Sequence, residues 1–245
     1  EIMPSLVGSE MCIRDRSVTQ HVFAMLLEYV RNISRFESFV ANGGWTREGG
    51  RAIFAYPIEN LAGKTFGILG FGSIGSSVGN VAAALGMKVL YHSATRKKNL
   101  GRDFRYADLD TLFKRSDFLS LHCPLNEETR QIVNKRTLSL MKPRAVLINT
   151  ARGGLVDETA LAEALDSGRL AAALLDVVAE EPIKESNVLL CAKNCLITPH
   201  VAWAAAETRQ DVVYDAAVNV GAFYDGYPDN LVNGVPAREE YRKKI

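Results

Sequence analysis

The sequence has no apolar run approaching the about 20 residues needed to cross a bilayer, and no charged, then apolar start of the kind that directs secretion. The expected compartment is therefore the cytoplasm. An excess of charge is missing too: 29 Lys and Arg oppose 28 Asp and Glu, for a net +1. Neither nucleic acid nor an anionic membrane surface is expected as a partner. Cysteine is scarce, with four residues, and suits reduced thiols. Cys191 and Cys195 form C-x3-C, but no second Cys or His pair accompanies them, so buried thiols are expected there and no metal. Repeats and low-complexity segments are absent. What remains is 245 residues, 47% hydrophobic, enough for one large or two smaller globular domains.

The chain is organised around Thr65-Phe66-Gly67-Ile68-Leu69-Gly70-Phe71-Gly72-Ser73-Ile74-Gly75. An apolar strand runs into Gly-x-Gly-x-x-Gly and then into a helix predicted over about Ser73 to Leu85. Such a strand–turn–helix is the dinucleotide fingerprint. Gly70 serves the turn, Gly72 allows backbone to approach a pyrophosphate, and Gly75 lets helix and strand pack. The free N–H groups at the helix start hold the phosphates. A second strand at Lys88–His92 gives the motif its context.

The rest alternates between strand and helix, which implies a parallel sheet. Strands are predicted at 66–70, 88–92, 117–121, 145–149, 171–175 and 195–198, with helices at 73–85, near 107–114 and at 157–167. Ser17-Val18-Thr19-Gln20 matches a capping box, and the apolar spacing predicts one long helix over Ser17–Val40, stopped by Gly43-Gly44. An irregular segment, Trp45–Asn60, follows. A last amphipathic helix is predicted over Ala204–Tyr224, and the tail from Gly226 is turn-rich. Residues 1–16 lack either periodicity. Ser5 to Arg16 resembles translated adapter sequence, so 1–16 is expected to be foreign or disordered.

In an open parallel sheet, ligands lie beyond the carboxyl ends of the strands. Arg152, Asp176 and His200 each follow a predicted strand, and Glu181-Pro182 comes five residues after Asp176. A guanidinium, two carboxylates and an imidazole therefore share one edge. Of the other histidines, His21 falls in the first helix and reads as structural, and His92 ends the second strand near the adenosine ribose. His122 ends the third strand before Cys123-Pro124, beside the adenine, so Cys123 and Pro124 join the cofactor-site candidates.

Taken together, Ser17–Ile33, Leu61–Tyr91, Asp117–Pro124, Leu140–Asp157, Leu174–Pro182 and Leu196–Trp203 resemble the D-isomer-specific 2-hydroxyacid dehydrogenases, nearest to their glycerate dehydrogenase (hydroxypyruvate reductase) branch. The resemblance implies an α/β, Rossmann-type doubly wound parallel sheet, NAD(P) as cofactor, a small 2-keto or 2-hydroxy acid as substrate, and a homodimer. It implies that Arg152 binds the substrate carboxylate and carbonyl oxygen. His200 is then the acid/base, with Glu181 as its carboxylate partner, and Asp176 contacts the nicotinamide carboxamide. Ser73 and Ile74 offer N–H groups to the pyrophosphate, and Thr150 and Ala151 line the nicotinamide pocket. Two alternatives stay open: a related dehydrogenase, such as one acting on phosphoglycerate, and an NAD-sensing scaffold resembling the C-terminal-binding-protein corepressors.

Two departures from the family pattern matter. Ser93 stands where most members carry an Asp for the ribose, and Arg96, Lys97 and Lys98 follow it, so NADP is favoured over NAD. In the family, chain preceding the Ser17 helix builds most of the substrate domain, and the sequence is expected to be a truncated product without it. The expected division is a cofactor domain with its linking helix at 17–203, and a helix and tail at 204–245 returning to that substrate domain. Val22, Leu26 and Val30 on the first helix, and Val213, Val220 and Phe223 on the last, are accordingly expected to be only partly covered.

Overall fold

A computed structural model describes residues 7–97 and 100–225, with side chains from 15 onward. Lys98 and the tail from Gly226 lie outside the described residues.

Seven strands form one all-parallel sheet: β1 (Thr65–Leu69), β2 (Lys88–His92), β3 (Phe104–Tyr106), β4 (Phe118–Leu121), β5 (Val146–Asn149), β6 (Ala172–Leu175) and β7 (Cys195–Ile197). Their order across the sheet is β3-β2-β1-β4-β5-β6-β7. The chain winds outward from β1 in one direction, returns, and winds the other way from β4. The doubly wound topology expected from the alternation is present, and its switch point lies between β1 and β4, the place where such sheets take ligands. Gly67 of β1 pairs with Leu90 on one side and Leu119 on the other, so this strand is central and apolar throughout.

Helices cover both faces. α4 (Ser73–Ala84) follows the glycine turn, α5 (Leu109–Arg115) is capped by Asp108, and α7 (Glu158–Asp166) is capped by Asp157, whose carboxylate accepts from Ala160 N at 3.0 Å. β3 and α6 (Lys135–Leu140) are among the short elements that escaped the sequence reading. β3 has three residues and a single paired edge, too few to show alternation. α6 is a single capped turn and a half, closed by a reciprocal Asn134–Thr137 capping box.

The N-terminal region departs most from expectation. α1 spans Val7–Arg31, so it begins ten positions before the predicted start, and residues 7–16 are helical. Once its packed part exists, adding residues to a helix end is cheap, and no amphipathic signal is needed. Ser17 is therefore inside the helix and makes no cap; its Oγ donates to Ala202 O at 2.7 Å. The predicted single helix to Val40 is broken at Asn32, which takes a left-handed backbone (φ 53°) and donates from Nδ2 to Pro57 O at 2.7 Å. α2 (Ile33–Ala41) follows. The stretch expected to be irregular holds α3 (Gly44–Glu48) and a 3-10 turn, Gly49–Phe54.

α1 lies along α4. Its Val18, Val22, Phe23, Met25, Leu26 and Val30 join Phe66 and Ile68 of β1 and Val78 and Ala82 of α4 in one core cluster. Val22, Leu26 and Val30 are thus fully buried, against the expectation of partial cover. The last helix, α8 (Ala206–Tyr224), does carry the expected uncovered face: Val213 is 69% and Tyr224 79% exposed, and Thr208 is its one buried residue.

Candidate active site

The turn after β1 shows three glycines with three different reasons. Gly70 has φ +95°, and a Cβ there would lie 2.4 Å from the backbone N of Cys123 and C of His122. The β1 and β4 ends therefore meet in direct contact at the switch point. A Cβ on Gly75 would be 2.1 Å from Gly70 O, so the helix start presses on the turn itself. At Gly72 a Cβ would meet no atom within 4 Å. Nothing in the protein requires a glycine there. The space a Cβ would enter lies in front of the N–H groups of Ser73 and Ile74 at the start of α4, where an anion is favoured.

A second observation fits a dinucleotide. Thr150, just past β5, has a buried hydroxyl with no partner among the described residues. Buried hydroxyls are normally satisfied, so this one has capacity to bond a ligand group. The walls between are neutral. Burial pushes the His122 imidazole down to about 4 and the Cys123 thiol up to about 11, so both stay uncharged at neutral pH. His122 Nε2 is 2.8 Å from Ser120 Oγ. Pro124 follows at the exposed rim. Ser93 sits just past β2 and donates to Thr95 O at 2.8 Å; Arg96 and Lys97 are exposed, with Arg96 stacked 5.6 Å over Tyr106. Ser73 Oγ donates to the Asp15 carboxylate of α1.

The polar residues sit at the ends of three neighbouring strands. Asn149 closes β5 and shapes the loop after it: its Oδ1 accepts from Ala151 N at 3.0 Å, and its Nδ2 donates to Arg152 O at 2.9 Å. Arg152 is exposed at the mouth, its Nη1 donating to Ala151 O at 2.6 Å. Asp176, after β6, is 1% exposed. Its Oδ1 accepts from Thr198 Oγ1 at 2.5 Å and Val201 N at 2.9 Å, and its Oδ2 from Ala202 N at 2.8 Å. Burial alone would raise this carboxyl, but hydrogen bonds from His21, Thr198, Ala202 and Val201 outweigh it and hold the group below its usual range.

His200, after β7, has φ +55°, an uncommon backbone for a residue with a side chain. Its N–H donates to Asp176 O at 2.8 Å, and its Nδ1 is 2.6 Å from Glu181 Oε2. Glu181 is itself held, its Oε1 accepting from Val178 N at 3.2 Å. The expected His–Glu pair is present, and it occupies Nδ1 of the ring. Arg152 reaches neither His200 nor Glu181 directly. Asn149, Thr198, Ser17 and His21 were missed as members of this site. Asn149 could have been found, because an Asn ending a strand before a loop favours side-chain to backbone bonds.

Known proteins share the sequence pattern and the fold. The family described as "D-isomer specific 2-hydroxyacid dehydrogenase, NAD binding domain" matches residues 23–202. A hydroxypyruvate reductase of Blautia hydrogenotrophica is 44% identical over 218 residues, covering 89% of this chain and 68% of the relative. An NADPH-dependent glyoxylate/hydroxypyruvate reductase from Sinorhizobium meliloti, solved with NADP and malonate, superposes with a TM-score of 0.76 at 33% identity, covering 86% of this chain and 65% of that one. A D-lactate dehydrogenase from Aquifex aeolicus, solved with NAD and lactic acid, gives 0.77 at 32% identity, covering 89% and 68%. The chain spans about two thirds of the length of these proteins. With 180 of its residues inside the family's match and the glycine turn and His–Glu pair in place, the chain belongs to the D-isomer-specific 2-hydroxyacid dehydrogenases.

Proposed function

We propose that this chain is the cofactor-binding part of an NAD(P)-dependent reductase acting on hydroxypyruvate or glyoxylate. The observation that carries the reading is the bond from His200 Nδ1 to Glu181, placed on the same sheet edge as the glycine turn. A bound nicotinamide supplies the hydride. The chain's own residues do the rest. Glu181 holds Nδ1 and fixes the ring, so Nε2 of His200 is the nitrogen that delivers a proton to the carbonyl oxygen. The planar fork of Arg152 pairs with the substrate carboxylate and meets the charge that grows on that oxygen. Gly72, Ser73, Ile74 and Gly75 hold the pyrophosphate, and Thr150 and Ala151 border the nicotinamide. Asp176 is left out of the proposed cofactor contacts, because both its oxygens are taken and almost none of it is accessible. Turnover of a 2-keto acid by the complete protein separates this reading from an NAD-sensing scaffold. The chain by itself is expected to bind NADPH but to reduce hydroxypyruvate poorly. Joined to the remaining third of the Blautia relative, it should turn over and lose the exposed apolar face of α8. Efficient turnover by residues 1–245 alone sinks the division of labour.

NADP is the proposed cofactor form. An Asp at position 93 would repel a 2′-phosphate, whereas Ser93 does not, and Arg96 and Lys97 are exposed cations that can pair with it. Ser93→Asp should shift the preference toward NADH, weakening NADPH by on the order of tenfold or more, as expected for like charges a few ångströms apart at a half-exposed site. Equal titration curves for both cofactors, before and after the change, defeat the assignment.

A homodimer is proposed through α2 and the turn after it. Tyr56 is satisfied within its own chain, edge-on to Phe36 and Phe39 and under Arg35. Trp45, Ile53 and Phe54 are not; Phe54 is 79% exposed. Ile33, Phe36, Val40 and Ile58 line a groove of ≈ 680 Å³ alongside. Such a patch points to burial against a second copy. Light scattering at micromolar concentration should give twice the chain mass, and Phe54→Asp should halve it; a monomer in both cases refutes the dimer.

A further inference from the structure

We propose that His21, on α1, is a positioning residue for the His200 imidazole, acting through Thr198 and Asp176. The inference rests on the reading of His200 as the proton donor and adds the means by which the ring is held.

The geometry begins on α1. Ser17 and His21 are one helical turn apart and so share a face. Ser17 Oγ donates to Ala202 O at 2.7 Å, and His21 Nε2 lies 3.0 Å from Thr198 Oγ1. Two successive turns of the helix therefore grip both ends of the five-residue segment whose middle member is His200. That residue has φ +55°, a backbone that persists only where its surroundings fix it.

Proton counting gives the relay its direction. The Asp176 carboxyl is held below its usual range and acts only as an acceptor. Thr198 has one hydroxyl proton, and Asp176 Oδ1 is its nearer partner at 2.5 Å. The Thr198 oxygen must then accept from His21, so Nε2 of His21 carries a proton. That nitrogen also lies 3.4 Å from Asp176 Oδ1. The chain of donors runs His21 to Thr198 to Asp176. The carboxylate it orients then takes the N–H groups of Val201 and Ala202, the two residues after His200. The Asp176 carbonyl takes the N–H of His200 itself. The bonds to the N–H groups of Val201 and Ala202 thus pass through the carboxylate that His21 and Thr198 orient, and the Ala202 carbonyl is held by Ser17.

The test needs no turnover. In the 15N-labelled 245-residue chain, H21L removes the donor, while H21Q offers an amide N–H near the place of Nε2. H21L should speed amide exchange at Val201 and Ala202 by about tenfold or more and shift the His200 ring signals, with exchange in β4 and β5 unchanged. H21Q should restore both. T198V, which keeps the shape of Thr198 and deletes its hydroxyl, should reproduce H21L and stands in for it should that variant fold poorly. Unchanged Val201 and Ala202 amides in H21L and T198V overturn the proposal. So does a rise spread evenly over the sheet that H21Q does not repair. Either result can occur while His200 still behaves as a proton donor in rate measurements, so the two readings fail separately.

Discussion

His200→Gln, in an enzyme carrying this chain, lowers the rate of hydroxypyruvate reduction by about 10²-fold or more, the usual worth of a placed general acid. Cofactor affinity stays as it was, because the ring makes none of the pyrophosphate contacts proposed for the start of α4. The reasoning is local. Nδ1 is committed to Glu181 at 2.6 Å, so the ring cannot turn its other nitrogen away without losing a charge-assisted bond. A glutamine keeps the approximate length and a donor, but its amide cannot deliver a proton to a developing alkoxide. The loss should therefore appear in kcat and in kcat/KM together, the pattern of an interaction made in the transition state. Glu181→Gln should fall in the same direction by less, since it leaves the ring in place but removes the charge opposite it. Stopped-flow rates for His200→Gln within a factor of a few of the parent would remove the imidazole from the mechanism.

The sheet and the glycine turn were legible because their signals are local. A strand of Thr65–Leu69 buried on both sides reads as an apolar run, and a Gly-x-Gly-x-x-Gly turn needs its glycines for reasons a sequence can state. β2 was legible for the same reason. The edge strand β3 was not, because three residues carry no period, and α6 was missed where an Asn-x-x-Thr box was passed over. The site divides along the same line. His200, Glu181, Arg152 and Thr150 follow strands, so the topology alone brings them to one edge. His21 and Ser17 come from a helix more than 170 positions away, and only the packing of α1 puts them beside Thr198 and Ala202. Serine at a plausible helix start even pointed the wrong way, since a capping pattern and a helix-interior serine read alike.

Gly153→Ala is expected to damage both the fold and the site, although it adds one methyl group. Gly153 is buried directly after Arg152, and a Cβ there would fall 1.9 Å from Val178 C, 2.0 Å from Val178 O and 2.3 Å from Ala179 N. These are backbone atoms, so no rotamer change can yield. Overpacking of this kind costs about 1–3 kcal/mol, and rigid backbone on the receiving side places it at the upper end. The displacement also reaches the chemistry from two sides. Val178 N–H holds the Glu181 carboxylate, and the Arg152 carbonyl is tied to Asn149. The urea midpoint should fall at unchanged slope, and hydroxypyruvate reduction should fall with it even well below the transition. Gly72→Ala supplies the contrast. No protein atom lies within 4 Å of its added methyl, so the midpoint should not move, while NADPH affinity drops by about tenfold as the methyl enters the pyrophosphate space. One glycine is required by the protein and the other by its ligand. A stability loss at position 72, or a neutral result at 153, contradicts that assignment.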